Sequence, residues 1–277
     1  MLILCFFLGD RLVGKILENS VDSSQFRYSR MYRGTAAADI VLIGNSRGLS
    51  FYQPYIEAVT GAKTFNLSYN GMTMDVAAVL IADYLERYQP ELLLLDVTMC
   101  DRKSKSFTLG FAPYQVQSQR IRKLLKNTDR SMYYAQQLSH LFRYNNELYQ
   151  RILYYYDQSD ETWLLDREIT AAMEAEVQHE QYRIDLRYVD QLKATIDLAE
   201  RKGVKVRLLI NPYYLPFANI LQGLESFKAQ IEATTQHKVY DFSKAIPSKV
   251  FFGDYQHLNQ KGSEAYIDLL QEQGMFE

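Results

Sequence analysis

Ser46 stands between two glycines in Gly44-Asn45-Ser46-Arg47-Gly48, directly after the apolar run Ile40 to Ile43. Far along the chain, residues 251–262 read FFGDYQHLNQKG and place Asp254 three residues before His257. A hydroxyl is a weak nucleophile at its own pKa and needs a base beside it. A histidine can take that proton near neutral pH. An aspartate on the other ring nitrogen fixes the tautomer and steadies the imidazolium that forms. The Asp-x-x-His spacing lets both side chains face one spot from a single turn of loop. Ser46, His257 and Asp254 are therefore the candidate nucleophile, base and orienting acid, and the chemistry open to them is nucleophilic acyl transfer.

Plainer roles compete with each of these. Ser46 also suits a helix N-cap after a strand, and Asp254 a cap for the last helix. The five residues 44–48 match G-x-S-x-G, the strand-turn-helix nucleophile elbow, but that elbow follows a central strand, whereas Ser46 follows the first. A dinucleotide loop (G-x-G-x-x-G) is absent, and no Walker lysine follows. Between the two ends lies NLSYNGMT, residues 66–73. Gly71 there could present a bare N–H to an oxyanion, with the Ser46 N–H as a second donor; an ordinary turn glycine is the alternative. Asn211, in Asn-Pro-Tyr at the end of a later apolar run, is a candidate cleft residue or simply part of a turn. Arg47 reads as a surface or salt-bridged group. His140, His179 and His237 lack metal-ligand spacing and read as surface residues, so no metal or cofactor is implied.

These residues need a scaffold. Three short apolar runs bounded by turn residues, 39–44, 91–97 and 204–210, suit strands buried on both faces of a parallel sheet. Two weaker strands are expected at 63–67 and 238–242. Between them, 74–88, 187–202, 216–234 and 259–273 carry apolar residues at helical spacing, the last behind Asn259 as N-cap. The alternation predicts an α/β fold, a doubly wound, mostly parallel five-stranded sheet. In such a sheet, ligands bind at the C-terminal strand edge, where Ser46 would lie. Residues 101–186 break the alternation. They hold no convincing strand, are rich in Tyr, Gln, Arg and Lys, and read as a helical insert whose tyrosines serve packing.

Composition narrows the function. Apolar residues make up 47% of the chain, enough for a folded core, and the net charge of −2 leaves no broad footprint for nucleic acid. Two cysteines, Cys5 and Cys100, cannot form a disulfide framework. Residues 1–8 are apolar but too few to span a bilayer, and no basic n-region or cleavage site accompanies them. They admit two readings: a buried first helical turn, or the tail of a membrane anchor. Leu4 before Cys5 argues against a lipoprotein signal. Residues 16–38 read as a polar, irregular linker, so the expected division is an N-terminal segment 1–38 and a domain 39–277 that contains the insert.

Taken together, IGNSR, NLSYNG and DYQHLN resemble the first, second and last blocks of the SGNH/GDSL hydrolase superfamily. The resemblance spans residues 39 to 262 but not the insert. It implies a flavodoxin-like fold, Ser46 as nucleophile, Gly71 as an oxyanion donor, and Asp254 and His257 as the rest of a triad. The family's third block ends in an asparagine donor; here Cys100 takes that place, beside the cleft, followed by Asp101. A thiol is a poor donor, and losing one such donor typically costs about 10²–10³-fold in rate. The sequence is most similar to the membrane-associated branch, which includes proteins of surface-polysaccharide O-acetylation and of D-alanine transfer. That resemblance implies an esterase or O-acyltransferase on acylated surface glycan, at the extracytoplasmic membrane face. Alternatives are a cytoplasmic protein and a catalytically weak or inactive module that binds glycan or a partner membrane acyltransferase.

Overall fold

The computed structural model describes residues 1–177 and 187–277. Residues 178–186, which include His179 and the end of the expected insert, lie outside the described residues. Two compact units divide the chain: a sheet unit of Ala37–Lys103 with Glu161–Glu277, and a helical unit of Met1–Ala36 with Ser104–Asp160.

In the sheet unit, five strands among the described residues pair in one parallel sheet: β1 (Ile40–Ile43), β2 (Thr64–Asn66), β3 (Leu92–Asp96), β4 (Lys205–Ile210) and β5 (Val239–Asp241). The order is β2-β1-β3-β4-β5, the flavodoxin-like arrangement of a doubly wound fold. All five expected strands are present. Every residue of β1 and β3 is buried, because helices flank the sheet and leave neither face of the central strands to water. Ile40, Leu42, Leu92 and Leu94, at period two, share one core with Ile56 of helix Gln53–Thr60 and with Tyr266, Ile267 and Leu270 of helix Gln260–Glu272. The last helix starts as expected, with the Asn259 side chain accepting from the Gly262 N–H at 3.0 Å. The helical stretch 216–234 is instead two helices, Leu215–Ile220 and Leu224–Thr235, parted at Gly223, whose φ of 80° no helix continues through.

In the helical unit, the expected linker is corrected. Leu2–Ser23 is one helix and Arg27–Arg33 another. The polar composition of 16–38 hid this, since Val21, Phe26, Tyr28 and Met31 bury among polar residues, and Ser24, Arg27 and Ser29 are buried with them. Among the described residues, no helix is long and apolar enough to cross a membrane. The insert is also narrower than expected as a compact body. Residues 104–160 join 1–36, whereas 161–177 belong with the sheet. Aromatic side chains pack the unit, with Tyr28 meeting Phe26 at 5.3 Å and Phe111 at 5.2 Å between ring centroids.

Candidate active site

The site is built at the C-terminal ends of β1 and β3. Beyond β1 the chain winds into a 3₁₀ turn, Ser46–Ser50. Each residue of Asn45-Ser46-Arg47 has a separate task there. The Asn45 side chain caps the turn, accepting from the Arg47 N–H at 3.0 Å, and donates to Thr98 Oγ1 at 3.0 Å. That cap leaves the Ser46 N–H without an acceptor among the described residues. Gly48 answers the question of the flanking glycines at one position: a Cβ there would lie 2.4 Å from Ser68 Oγ, so only glycine lets the turn close onto the segment after β2. Asn66, at the end of β2, holds the same turn by donating to the carbonyls of Gly48 (2.9 Å) and Phe51 (3.0 Å).

Of the two readings of Arg47, a surface group or a salt-bridged one, the structure shows the second, and the pair is buried. Its guanidinium is buried, 3.4 Å from an Asp96 carboxylate oxygen, with Thr98 Oγ1 as a further acceptor. It also donates to the Asn211 carbonyl at 2.9 Å and lies 3.9 Å from the centroid of the Tyr213 ring. Asp96 accepts in addition from the Thr98 N–H (2.9 Å) and from Asn211 Nδ2 (3.0 Å). Burying an ion pair costs several kcal/mol unless such hydrogen bonds satisfy it, and here they do. The network fixes the backbone one residue past Ser46 to the ends of β3 and β4.

Asp254 and His257 sit on a loop closed on itself. Phe252 pairs with Leu258, and the Gly253 N–H donates to the His257 carbonyl at 2.9 Å. Asp254 Oδ1 accepts from the N–H groups of Gln256 (2.8 Å) and His257 (3.0 Å). This turn aims both side chains one way. His257 Nδ1 lies 2.8 and 3.0 Å from the two Asp254 oxygens, and its Nε2 lies 2.7 Å from Ser46 Oγ. A carboxylate only accepts, so Nδ1 carries the proton and Nε2 is left to accept from the serine. Burial pushes the Asp254 pKa up, but hydrogen bonds from the His257 side chain and the two backbone N–H groups outweigh it, so the carboxyl ionises below its ordinary range. Asp254 is thus a carboxylate wherever His257 works as a base.

No protein-family model matches the chain, and a search of curated proteins finds no match. Among solved structures the chain is similar to a crystal structure from Bacteroides fragilis, provisionally described as an acylhydrolase. The likeness covers 89% of this chain and 93% of that one, at 12% identity and a TM-score of 0.43. Similarity at that level carries no argument about this chain's chemistry, which rests on its own geometry.

The structure thus brings Ser46, His257 and Asp254 into one hydrogen-bonded chain. Gly71 follows β2 with φ at 72°, and its N–H has no acceptor among the described residues. Two expectations are corrected. Cys100, expected at the cleft, is fully buried in the 3₁₀ segment Val97–Asp101 and does not line the cavity at Ser46; a small apolar thiol packs inward there. Burial first, then the nearby Asp101 and Asp96 charges, push its pKa far up, so it is no reactive thiolate. Asn211 is likewise fully buried, accepting from the Tyr266 hydroxyl at 2.8 Å while it donates to Asp96. It is a strut behind the site rather than a wall of it. His237 pairs with Glu200 at 2.7 Å, and His140 is half-buried against Gly14.

Sequence reasoning missed Asp96, Thr98, Asn70 and Trp163. Asp96 was visible as a charge ending an apolar strand, but its partner is 49 residues away. Asn70 and Trp163 line the same cavity as Ser46, Asp254 and His257. Asn70 lay inside the NLSYNG stretch but beside the glycine that drew attention, and no motif marks Trp163.

Proposed function

We propose that this protein is a serine hydrolase or acyltransferase of acyl esters, with Ser46, His257 and Asp254 as its triad. One observation carries the reading: three residues from loops 208 positions apart meet with hydroxyl-to-imidazole and imidazole-to-carboxylate spacings of 2.7 and 2.8 Å. In the proposed reaction, Ser46 Oγ attacks the acyl carbonyl while its proton passes to His257 Nε2. The carbonyl oxygen becomes an oxyanion, and the N–H groups of Ser46 and Gly71 and the Asn70 amide are the proposed donors to it. Collapse breaks the ester C–O bond, and the departing alkoxide takes the proton from His257. A water or a second alcohol then attacks the acyl-enzyme, giving its proton to His257, and Ser46 is released protonated.

The resemblance of the three motifs implies acylated surface glycan as substrate and a membrane-surface location, and both are part of the proposal. The location is supported by Leu4, Leu8, Leu12 and Ile16, spaced four apart on one helix and each more than half exposed. The test of the chemistry is labelling with a fluorophosphonate. The expected outcome is one adduct, on Ser46, lost in Ser46→Ala. A well-folded protein that takes no label at Ser46 sinks the enzymatic reading in favour of a binding module.

A further inference from the structure

Residues 163–169 form a strap tied along the loop that carries Asp254 and His257. The Ile169 N–H donates to the Phe252 carbonyl at 2.8 Å, and the Gln260 N–H to the Leu165 carbonyl at 3.2 Å. Asn259 Nδ2 donates to the Arg167 carbonyl at 3.2 Å, and Arg167 Nε to the Gly253 carbonyl at 3.2 Å. The two segments touch closely, since a Cβ on Gly253 would lie 2.8 Å from Leu165 Cδ1. So held, the strap turns Trp163, Leu164 and Leu165 into a cavity of about 250 Å³ whose lining also includes Leu49, Ser46 and His257.

We propose that this cavity is an acyl-chain pocket for neutral, unbranched, short-to-medium alkyl acyl groups, and that Trp163 and its two neighbours set the chain length it accepts. The proposal rests on the triad reading above. Its argument is the chemistry of the wall. Tryptophan and leucine side chains favour an alkyl chain by burial alone. An aminoacyl ammonium there would meet no free carboxylate, because both Asp254 oxygens already face His257, and only the neutral Ser50 and Asn70 could replace its water. Nor does the one cation in the lining invite an acidic acyl group, since Arg47 is neutralised by Asp96. The volume sets the scale. At a water's share of about 30 Å³, the space holds roughly eight groups of that size, and a methylene is of similar bulk.

The test is a series of p-nitrophenyl esters from acetate to decanoate. We expect kcat/KM to rise about fourfold per methylene, the worth of burying one CH₂, to a maximum between butanoate and octanoate, and then to fall. Trp163→Ala should move the maximum to longer chains, and Trp163→Phe should leave it in place. A flat profile, a profile falling from acetate, or one unmoved by Trp163→Ala overturns the pocket. If Ser46 takes the fluorophosphonate while the profile is flat, the pocket fails and the triad stands. Should Ser46 take no label, the triad reading fails, and the pocket is read in Ser46→Ala by the emission of Trp163, the chain's single tryptophan. A saturable change with added hexanamide then supports the pocket, and no change overturns it.

Discussion

A buried arginine–aspartate pair lies in each unit of the molecule, and the two pairs do different work. In the helical unit, Arg27 meets Asp160 at 2.5 Å; in the sheet unit, Arg47 meets Asp96 at 3.4 Å. All four side chains are nearly inaccessible to water. Burial lowers the Arg27 pKa, but Asp160 more than offsets it, so the guanidinium stays charged. That pair latches residues 133 positions apart. Arg47 is bonded directly to the residue that carries the candidate nucleophile. The same ion pair is thus a fastener in one unit and a support for a reacting group in the other. What differs is the neighbour, not the pair.

The units differ in charge as well. Of the chain's 31 Lys and Arg, 13 fall in 1–36 and 104–160, with only 7 of its 33 Asp and Glu, so the helical unit carries +6 and the sheet unit −8. The overall −2 conceals this split. A basic unit with an exposed apolar helix face suits an anionic lipid surface, and an acidic unit around the site does not.

The largest expected effect sharpens what is special about the sheet unit. His257→Ala should cost about 10⁶-fold in ester turnover and Asp254→Asn about 10⁴-fold, since the second keeps nucleophile and base and loses only orientation and charge. Equal losses in the two variants, measured as kcat, would argue against Asp254 as a merely orienting group. Next in size are the two buried pairs. Asp96→Ala and Asp160→Ala should each cost about 3–5 kcal/mol in urea unfolding, because each leaves a buried guanidinium uncompensated. Only Asp96→Ala should also slow fluorophosphonate labelling of the folded protein. A matching slowdown in Asp160→Ala breaks the distinction between fastener and support. The smallest effect concerns the helical unit. The protein should co-sediment with anionic vesicles more than with neutral ones, and Leu12→Glu should weaken that binding about tenfold through lost apolar burial. Equal binding to both vesicle types, or none, counts against the membrane-surface location.

Much of the sheet unit was legible because its signals are local. A continuous run such as Leu92 to Leu95 has few alternatives to a strand buried on both faces. Asn259 capping the last helix is a contact over three residues, and so is the Asp254–His257 pairing. The helical unit was less legible. Its burial comes from residues scattered among polar ones, as with Val21, Phe26 and Met31, and its closing bond joins Arg27 to Asp160. Cys100 and Asn211 were misplaced for a related reason. Asn211 directly follows β4 and Cys100 lies four residues beyond β3, and the backbone beyond the strand decides whether a side chain turns to the cleft or into the core.

By itself, the sequence determined the strand runs, the parallel α/β class, the caps, and the two loops carrying Ser46 and the Asp254–His257 turn. These depend on residue type and on spacings of a few positions, which act before the chain has folded. The tertiary structure alone decided that His257 reaches Ser46, that Arg47 turns inward to Asp96, and that a strap bearing Trp163 walls the cavity. Those outcomes depend on the order of strands in the sheet and on side-chain directions at their ends. They are fixed only when burial of the whole core selects one register, and no local spacing encodes that choice.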